Sequence, residues 1–124
     1  MKTLKILVVE DDRDFAEGLG ELLESRGHGV ALAATGEEGV DRLLTHDFDL
    51  AFLDVVLPGI SGIDALRAAK SVIPDTRIVM MTGHDASRYE RPAREMWVQM
   101  VLQKPIEPSR LFECLAELEK EDER

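Results

Sequence analysis

The feature that most constrains the fold is a short apolar run that ends in a carboxylate. Residues 50–53 are Leu, Ala, Phe and Leu, and Asp54 follows them, ahead of a loop that contains Pro58 and Gly62. Apolar residues without polar alternation, bounded by turn-forming residues, are typical of a strand buried on both faces of a parallel sheet. Ligands of open α/β sheets collect beyond the carboxyl ends of the strands. Asp54 is therefore predicted to lie at a functional site rather than to cap the next helix, for which Ser61 is better placed.

Apolar segments of the same kind recur along the chain and alternate with segments of helical period. Further strands are predicted at residues 5–9, 30–34, 77–82 and 98–102. The spacing of apolar residues predicts helices that begin near Asp14, Thr35, Ser61, Ala86 and Pro108. Five strands that alternate with five helices predict right-handed crossovers and a parallel sheet covered on both faces.

Several residues predict where the helices begin and end. Asp12 is either the cap of the first helix or a third acid of the site, and Gly27 is a natural stop for that helix. Pro74 is predicted to end the third helix, whereas Pro92 falls inside the fourth. An interior proline removes a backbone donor and clashes with the preceding turn, so the fourth helix is predicted to be short, kinked or poorly ordered around Pro92. The charged segment 119–124 is predicted to fray from the last helix.

Side-chain burial is predicted from the same pattern. Leu44 falls on the apolar face of the second helix, and Cys114 on that of the fifth, so both are expected in the core. His28 and His46 lie near helix ends and are expected to be solvated. His84 lies just beyond the fourth strand, where it could line the site.

Length and charge limit the classes of function. The 124 residues fit one domain, 1–124, and 25 acidic against 15 basic residues give a net charge of -10. That charge argues against direct contact with a nucleic-acid backbone and suits a cation or a basic partner. A single cysteine allows no internal disulfide, and no run is apolar or long enough to span a membrane. A cytoplasmic location is expected.

Chemically useful side chains follow four of the five predicted strands. Glu10 and Asp11 follow the first strand, Asp54 ends the third, Thr82 ends the fourth and Lys104 follows the fifth. The ends of parallel strands share one edge, so these groups are expected to meet. Clustered carboxylates favour a cation, and Mg²⁺ suits a site with few carboxylates, water and a phosphate oxygen. A hydroxyl and a lysine could hold a phosphoryl group there, with Asp54 as a carboxylate nucleophile.

This ordered set resembles the receiver domain of two-component response regulators, over essentially the whole chain. The resemblance implies a doubly wound (βα)₅ flavodoxin-like fold with a five-stranded parallel sheet. It also implies that Asp54 accepts a phosphoryl group from a sensor histidine kinase or a histidine phosphotransfer protein. A receiver catalyses its own phosphorylation and dephosphorylation and is not a turnover enzyme.

The resemblance implies a role for each site residue as well. The implied Mg²⁺ ligands are Asp11, Asp54, the backbone carbonyl of Val56 and, through water, Glu10. Thr82 and Lys104 would bind the phosphoryl oxygens, and the Lys104–Pro105 peptide is expected to be cis, which proline makes accessible. An output domain or effector is expected to bind a face formed by helix four, strand five and helix five.

Three features of the sequence depart from the family pattern. In the family, the hydroxyl at the position of Thr82 moves toward the phosphoryl group, and an aromatic ring three residues before the lysine fills the vacated space. Val101 stands at that position and has no ring. Trp97 and Val98 replace the usual Gly-Ala before strand five, and Pro92 is the third departure. Trp97 and Tyr89 are candidate partner contacts if they are exposed and otherwise packing residues.

Three rival classes of protein make different demands on the same residues. A haloacid-dehalogenase-type phosphatase would need an Asp two residues after Asp54, where Val56 stands. A flavodoxin-like electron carrier would need a hydroxyl- and glycine-rich loop after the first strand, where three acids stand instead. A degenerate receiver that binds partners without phosphorylation stays open, because the departures cluster on the output side.

Overall fold

The computed structural model describes residues 2–70, 72–73, 75–96 and 98–122, the last two by backbone alone. Five parallel strands form one sheet in the order β2-β1-β3-β4-β5. The strands are β1 Lys5–Val9, β2 Gly29–Ala33, β3 Leu50–Asp54, β4 Arg77–Thr82 and β5 Met100–Gln103. The helices are α1 Arg13–Ser25, α2 Gly36–Thr45, α3 Gly62–Ala69, α4 Glu90–Glu95 and α5 Pro108–Asp122, with a 3₁₀ turn at Ala86–Tyr89. The predicted doubly wound (βα)₅ architecture is confirmed.

The alternation of side chains along each strand divides the core into two layers. In β1, Leu7 and Val9 pack with buried residues of α2, α3 and α4 on one face of the sheet. Ile6 and Val8 pack with buried residues of α1 and α5 on the other face. Because both faces are covered, strand residues of either parity must be apolar, which explains the uninterrupted apolar runs. Among the described helices, none is long and apolar enough to cross a membrane.

Side-chain caps fix the starts of the first three helices. The carboxylate of Asp12 accepts a hydrogen bond from the backbone N–H of Phe15, so Asp12 caps α1 rather than adding a third acid to the cluster. Thr35 caps α2 and Ser61 caps α3 through the same kind of bond. Gly27 follows α1 with φ of 90°, a left-handed conformation that favours glycine and ends the helix.

Three predicted boundaries were wrong by a few residues. The third helix ends at Ala69, where the N–H groups of Val72 and Ile73 both turn back to the Ala69 carbonyl, and Pro74 lies outside the described residues. The fifth strand begins at Met100, because the N–H of Val98 donates to a carbonyl of α4. The last helix continues into the charged segment as far as Asp122.

The fourth helix is short, as predicted, but for a different reason. A 3₁₀ turn precedes it, and α4 itself spans only six residues, Glu90–Glu95. Pro92 is its third residue, in the first turn, where a backbone N–H has no partner within the helix. The proline therefore fits the helix start instead of kinking its interior.

Burial differs from expectation at two side chains. Leu44 is 46% exposed at the end of α2, although its neighbour Leu43 is buried. His28 is only 6% exposed, because it lies between α1 and β2 with the segment before β1 packed over it. Cys114 is buried as predicted. Trp97, a candidate partner contact, lies outside the described residues.

Candidate functional site

Three carboxylates meet at the carboxyl edge of the sheet. Val9 and Leu53 are register partners of β1 and β3, so Glu10 and Asp54, each one residue further on, become neighbours. Glu10 is 3% exposed and Asp54 4% exposed, while Asp11 is open to solvent. One oxygen from each of the three lies within 4.8 Å of the other two. Oxygen donors this close together suit a hard divalent cation such as Mg²⁺.

Lys104 reaches into this cluster from the loop after β5. Its ammonium group contacts both Oε1 of Glu10 and Oδ2 of Asp54. The ring of Phe15, in the first turn of α1, lies 4.6 Å from the same nitrogen and covers it as a cation–π partner. The Lys104–Pro105 peptide is cis, as the sequence resemblance implied.

Burial and the shared lysine set the electrostatics of the cluster. The pKa of Glu10 is raised to about 7, chiefly by burial and also by the nearby Asp54, while the hydrogen bond from Lys104 acts in the opposite sense. Burial also lowers the pKa of Lys104, but its bonds to Asp54 and Glu10 outweigh that effect and raise the pKa above its ordinary value. The lysine therefore stays charged and is the cation that the carboxylates share.

The carboxylate of Asp54 is held in one orientation by the backbone. Its Oδ1 accepts a hydrogen bond from the N–H of Val56 at 2.9 Å, so its Oδ2 turns toward Lys104. The N–H of Val55 donates to the carbonyl of Met81 at 2.9 Å and ties the end of β3 to β4. The side chain of Val56 is 55% exposed, so this residue serves the site through its backbone.

Thr82 ends β4 one residue beyond the register partner of Asp54 and is fully buried. Its Oγ1 accepts a hydrogen bond from the N–H of His84 at 3.0 Å. The hydroxyl hydrogen is left to donate to another acceptor. The side chain of His84 itself is exposed, so the loop contacts Thr82 through its backbone, and a lining role for that side chain stays a prediction.

Sequence reasoning missed Gln103, which links the site to the 3₁₀ turn. Its Oε1 accepts from the N–H of Ala86 at 2.9 Å, and its Nε2 donates to the carbonyl of Thr82 at 3.3 Å. One side chain thus joins the start of the turn to the end of β4. A polar residue directly before Lys104, in an otherwise apolar strand, was the available signal. Phe15 was missed as well, because its spacing from Leu19 marks it simply as part of the apolar face of the first helix.

The family model described as "Response regulator receiver domain" matches residues 6–116. The chain belongs to this family. It is therefore a receiver domain of the kind found in two-component signal transduction, and the resemblance drawn from its motifs is confirmed.

A curated relative and two solved structures illustrate the match. The transcriptional regulatory protein DltR of Streptococcus agalactiae serotype III (strain NEM316) is 31% identical over 109 residues, which cover 88% of this chain and 49% of DltR. The chain thus spans about half the length of this relative. A CheY-like receiver domain protein from Methanospirillum hungatei JF-1 has a TM-score of 0.90 at 29% identity, covering 98% of both chains.

The second structure carries a ligand. The response regulator TrrA of Thermotoga maritima, in complex with Mg²⁺-BeF, has a TM-score of 0.82 at 29% identity, covering 95% of this chain and 99% of that one.

Proposed function

We propose that this receiver domain takes up a phosphoryl group on Asp54 in a Mg²⁺-dependent reaction. The observation that carries the proposal is the meeting of Asp54 with Glu10, Asp11 and Lys104 at one edge of the sheet. A carboxylate nucleophile beside other acids is useful only if positive charge offsets their repulsion of an incoming phosphoryl group. The lysine supplies one such charge, and the cluster of acids is suited to hold another.

The donor set fits Mg²⁺. Glu10, Asp11 and Asp54 offer carboxylate oxygens close enough to share one ion, and Asp11 is exposed, so water can complete the coordination. Asp11, Asp54 and the Val56 carbonyl would hold the ion directly, and Glu10 through water. When bound, the ion would neutralise charge on the phosphoryl oxygens.

The residues of the chain supply the remaining steps. An oxygen of Asp54 attacks the phosphorus of a phosphohistidine, the P–N bond breaks, and its electron pair returns to the imidazole nitrogen of the donor. The ammonium group of Lys104, which contacts Asp54 beforehand, then pairs with a phosphoryl oxygen. The hydroxyl of Thr82 donates to another phosphoryl oxygen while its Oγ1 accepts from the N–H of His84.

We further propose the partners and the setting. A sensor histidine kinase or a histidine phosphotransfer protein would supply the phosphoryl group in the cytoplasm. Residues 1–124 would act as one receiver domain that is not a turnover enzyme, and binding of nucleic acid would fall to other parts of a regulator.

An output domain or effector would bind the face formed by α4, β5 and α5. Tyr89 is half-buried and packs against the core, so the charged residues of α4 offer more exposed surface on this face than Tyr89 does.

Incubation with acetyl phosphate and Mg²⁺, followed by intact-protein mass analysis, tests the central step. The parent protein should gain one phosphoryl group, and Asp54→Asn should gain none. Asp64→Asn is a matched control, because Asp64 is exposed in the first turn of α3 and lies outside the acidic cluster. Retention of the phosphoryl group by Asp54→Asn would overturn the assignment. Failure of the parent to gain it would favour the degenerate receiver instead.

A further inference from the structure

Phe15 is an apolar neighbour of the Lys104 ammonium group at the acidic cluster. The centre of its ring lies 4.6 Å from Nζ of Lys104, and the nitrogen lies over the face of the ring. The face of an aromatic ring is negative and attracts a cation at this distance. The side chain of Lys104 is only 18% exposed, and such an attraction strengthens as water is excluded.

The start of α1 and the core fix the ring in this place. The backbone N–H of Phe15 donates to Oδ1 of Asp12 at 3.2 Å, so the cap of α1 sets the backbone that carries the ring. The side chain is half-buried and packs against the core layer that contains Ala16 of α1 and Leu111 of α5. The position of the ring is therefore set by packing and not by the charges of the cluster.

The charged partners of Lys104 change during the proposed reaction. Among the described residues, its ammonium group contacts Oε1 of Glu10 and Oδ2 of Asp54. When Asp54 forms its bond to phosphorus, the carboxylate becomes an acyl phosphate and loses its own negative charge. Glu10 keeps its attraction for the ammonium group, which must now pair with a phosphoryl oxygen instead of Asp54.

We propose that Phe15 is a positioning residue for phosphoryl transfer, and that its ring holds the ammonium group of Lys104 beside Asp54 while that carboxylate loses its charge. The inference rests on the proposed function. The attraction of the ring counts for more as the bond to phosphorus forms, because one of the two carboxylates that fix the ammonium group is lost at that point. A leucine at position 15 would exclude water in the same way but would not attract the cation.

Fluorinated phenylalanines at position 15 separate attraction from packing. Fluorine draws electrons from the ring and weakens its negative face stepwise, while the size of the ring changes little. Phe15 is replaced in the whole chain by mono-, di- and trifluorophenylalanine, and phosphorylation by acetyl phosphate with Mg²⁺ is followed over time by intact-protein mass analysis. The rate should fall at each step, to about one fifth of the parent rate for the trifluorinated ring.

Two ordinary substitutions complete that series. Phe15→Tyr keeps an aromatic face, so its rate should stay within about twofold of the parent rate. Phe15→Leu keeps an apolar cover without such a face and should be about fivefold slower. If Phe15→Leu does not fold, the fluorinated series decides.

Phe112 offers a matched control with the same kind of contact. The centre of its ring lies 3.8 Å from the guanidinium carbon of Arg26, and neither residue belongs to the acidic cluster. Trifluorophenylalanine at position 112 weakens that contact without changing the surroundings of Lys104. It should leave the phosphorylation rate within about twofold of the parent rate.

NMR can detect the contact without the reaction. The ring current of Phe15 should shift the resonances of the hydrogens on Cε and Nζ of Lys104 upfield in the unphosphorylated parent. Most of this shift should persist in the fluorinated proteins, because the geometry is kept, and it should disappear in Phe15→Leu. A slower rate with the shift retained would therefore report the loss of attraction and not a displaced ring.

Three results would overturn the inference. One is a rate that does not change along the fluorinated series, even if Phe15→Leu is slow, because the ring would then be only an apolar cover. Another is an equal fall in rate with trifluorophenylalanine at position 112. The third is the absence of the upfield shift at Lys104 in the parent. A parent that gains no phosphoryl group would refute the proposed function as well, whereas a parent phosphorylated at a rate insensitive to fluorination would refute this inference alone.

Discussion

Gly62 lies against the backbone carbonyl of Asp54, so closely that a Cβ atom at position 62 would overlap the carbonyl oxygen. The first residue of α3 thus packs directly onto the end of β3, and only glycine fits. Gly62→Ala should lower the free energy of unfolding by about 1–3 kcal/mol, the usual cost of overpacking. It should also displace Asp54 and slow its phosphorylation by acetyl phosphate. Urea unfolding and the mass assay measure the two effects.

Gly18 provides the matched control for this substitution. It lies in the middle of α1, and a Cβ built there meets nothing within 4 Å. Gly18→Ala should raise the free energy of unfolding by about 1 kcal/mol, because alanine loses less backbone entropy in a helix than glycine. Equal effects of Gly18→Ala and Gly62→Ala would contradict the role given to the contact with Asp54.

Lys104 should matter most to stability when Mg²⁺ is absent. Lys104→Met leaves the buried carboxylates of Glu10 and Asp54 without their shared cation, at a cost of about 1–3 kcal/mol. Mg²⁺ should restore most of that loss, since it supplies positive charge to the same oxygens, and should stabilise the variant more than the parent. Urea unfolding with and without Mg²⁺ measures this.

Lys70→Met serves as the comparison for Lys104→Met. Lys70 is half-buried and donates to the carbonyl of Thr76 at 3.0 Å, outside the acidic cluster. Its loss should cost stability to the same extent with and without Mg²⁺. A Lys104→Met variant that responds to Mg²⁺ no more than the parent would show that lysine and metal do not share ligands.

Most of the fold could be predicted from the sequence, because a strand buried on both faces of a parallel sheet is an uninterrupted run of apolar residues. Three strands end at the predicted residues, Val9, Asp54 and Thr82. In each case an apolar run is followed or closed by a polar residue, which marks the strand end. The last strand was harder to place. Val98 is apolar and buried, yet its N–H closes α4, and sequence alone does not say which partner a backbone group will choose.

Side chains that act across the sheet were the least predictable part of the site. Glu10, Asp54 and Lys104 were found because each carries charge and lies at the end of a strand or directly after it. Gln103 was missed, and His28 was wrongly expected to be solvated, because their surroundings depend on partners distant in sequence, such as the N–H groups of Ala86 and Leu4. Whether a histidine is solvated or buried depends on which segment packs over it.

His28 should make stability depend on pH. Burial lowers the pKa of His28 below its ordinary 6.5, and the charge of Glu119 only partly offsets this. At pH values between the lowered pKa of the folded state and 6.5, the unfolded chain binds a proton that the folded chain does not. The free energy of unfolding therefore falls as pH falls below about 6.5. Above that pH the contribution of His28 is fully present. Urea unfolding across pH 5 to 8, about the range of histidine titration, measures the slope.

The difference between parent and variant isolates the contribution of His28. Glu10, with a pKa raised to about 7, acts in the opposite sense and is common to both proteins. His28→Gln should flatten the loss of stability toward low pH, because glutamine does not titrate. His46→Gln should leave it unchanged, since His46 is exposed at the end of α2. Identical slopes in the parent and His28→Gln would contradict the assignment.

The switch of this receiver should pass through Gln103 rather than Val101. Val101 is half-buried against the core and has no ring that could change places with Thr82. Gln103, by contrast, holds the carbonyl of Thr82 and the N–H of Ala86 with one amide, so a movement of Thr82 toward the phosphoryl group strains both bonds. A modification shifts a two-state equilibrium only through contacts that differ between the states, and we expect the two contacts of Gln103 to differ.

Phosphorylation should therefore shift or broaden the amide resonances from Gly83 to Trp97 in the parent. Gln103→Ala should produce part of that change without phosphorylation, because the 3₁₀ turn is already released. Gln99→Ala is the matched control: Gln99 accepts from the N–H of Ile78 at 2.8 Å, the same kind of bond at the far end of β5. Val101→Ala should leave the phosphorylation-dependent shifts in place. If Val101→Ala abolished them while Gln103→Ala behaved like Gln99→Ala, the signal would be carried by the strand interior and not by the turn.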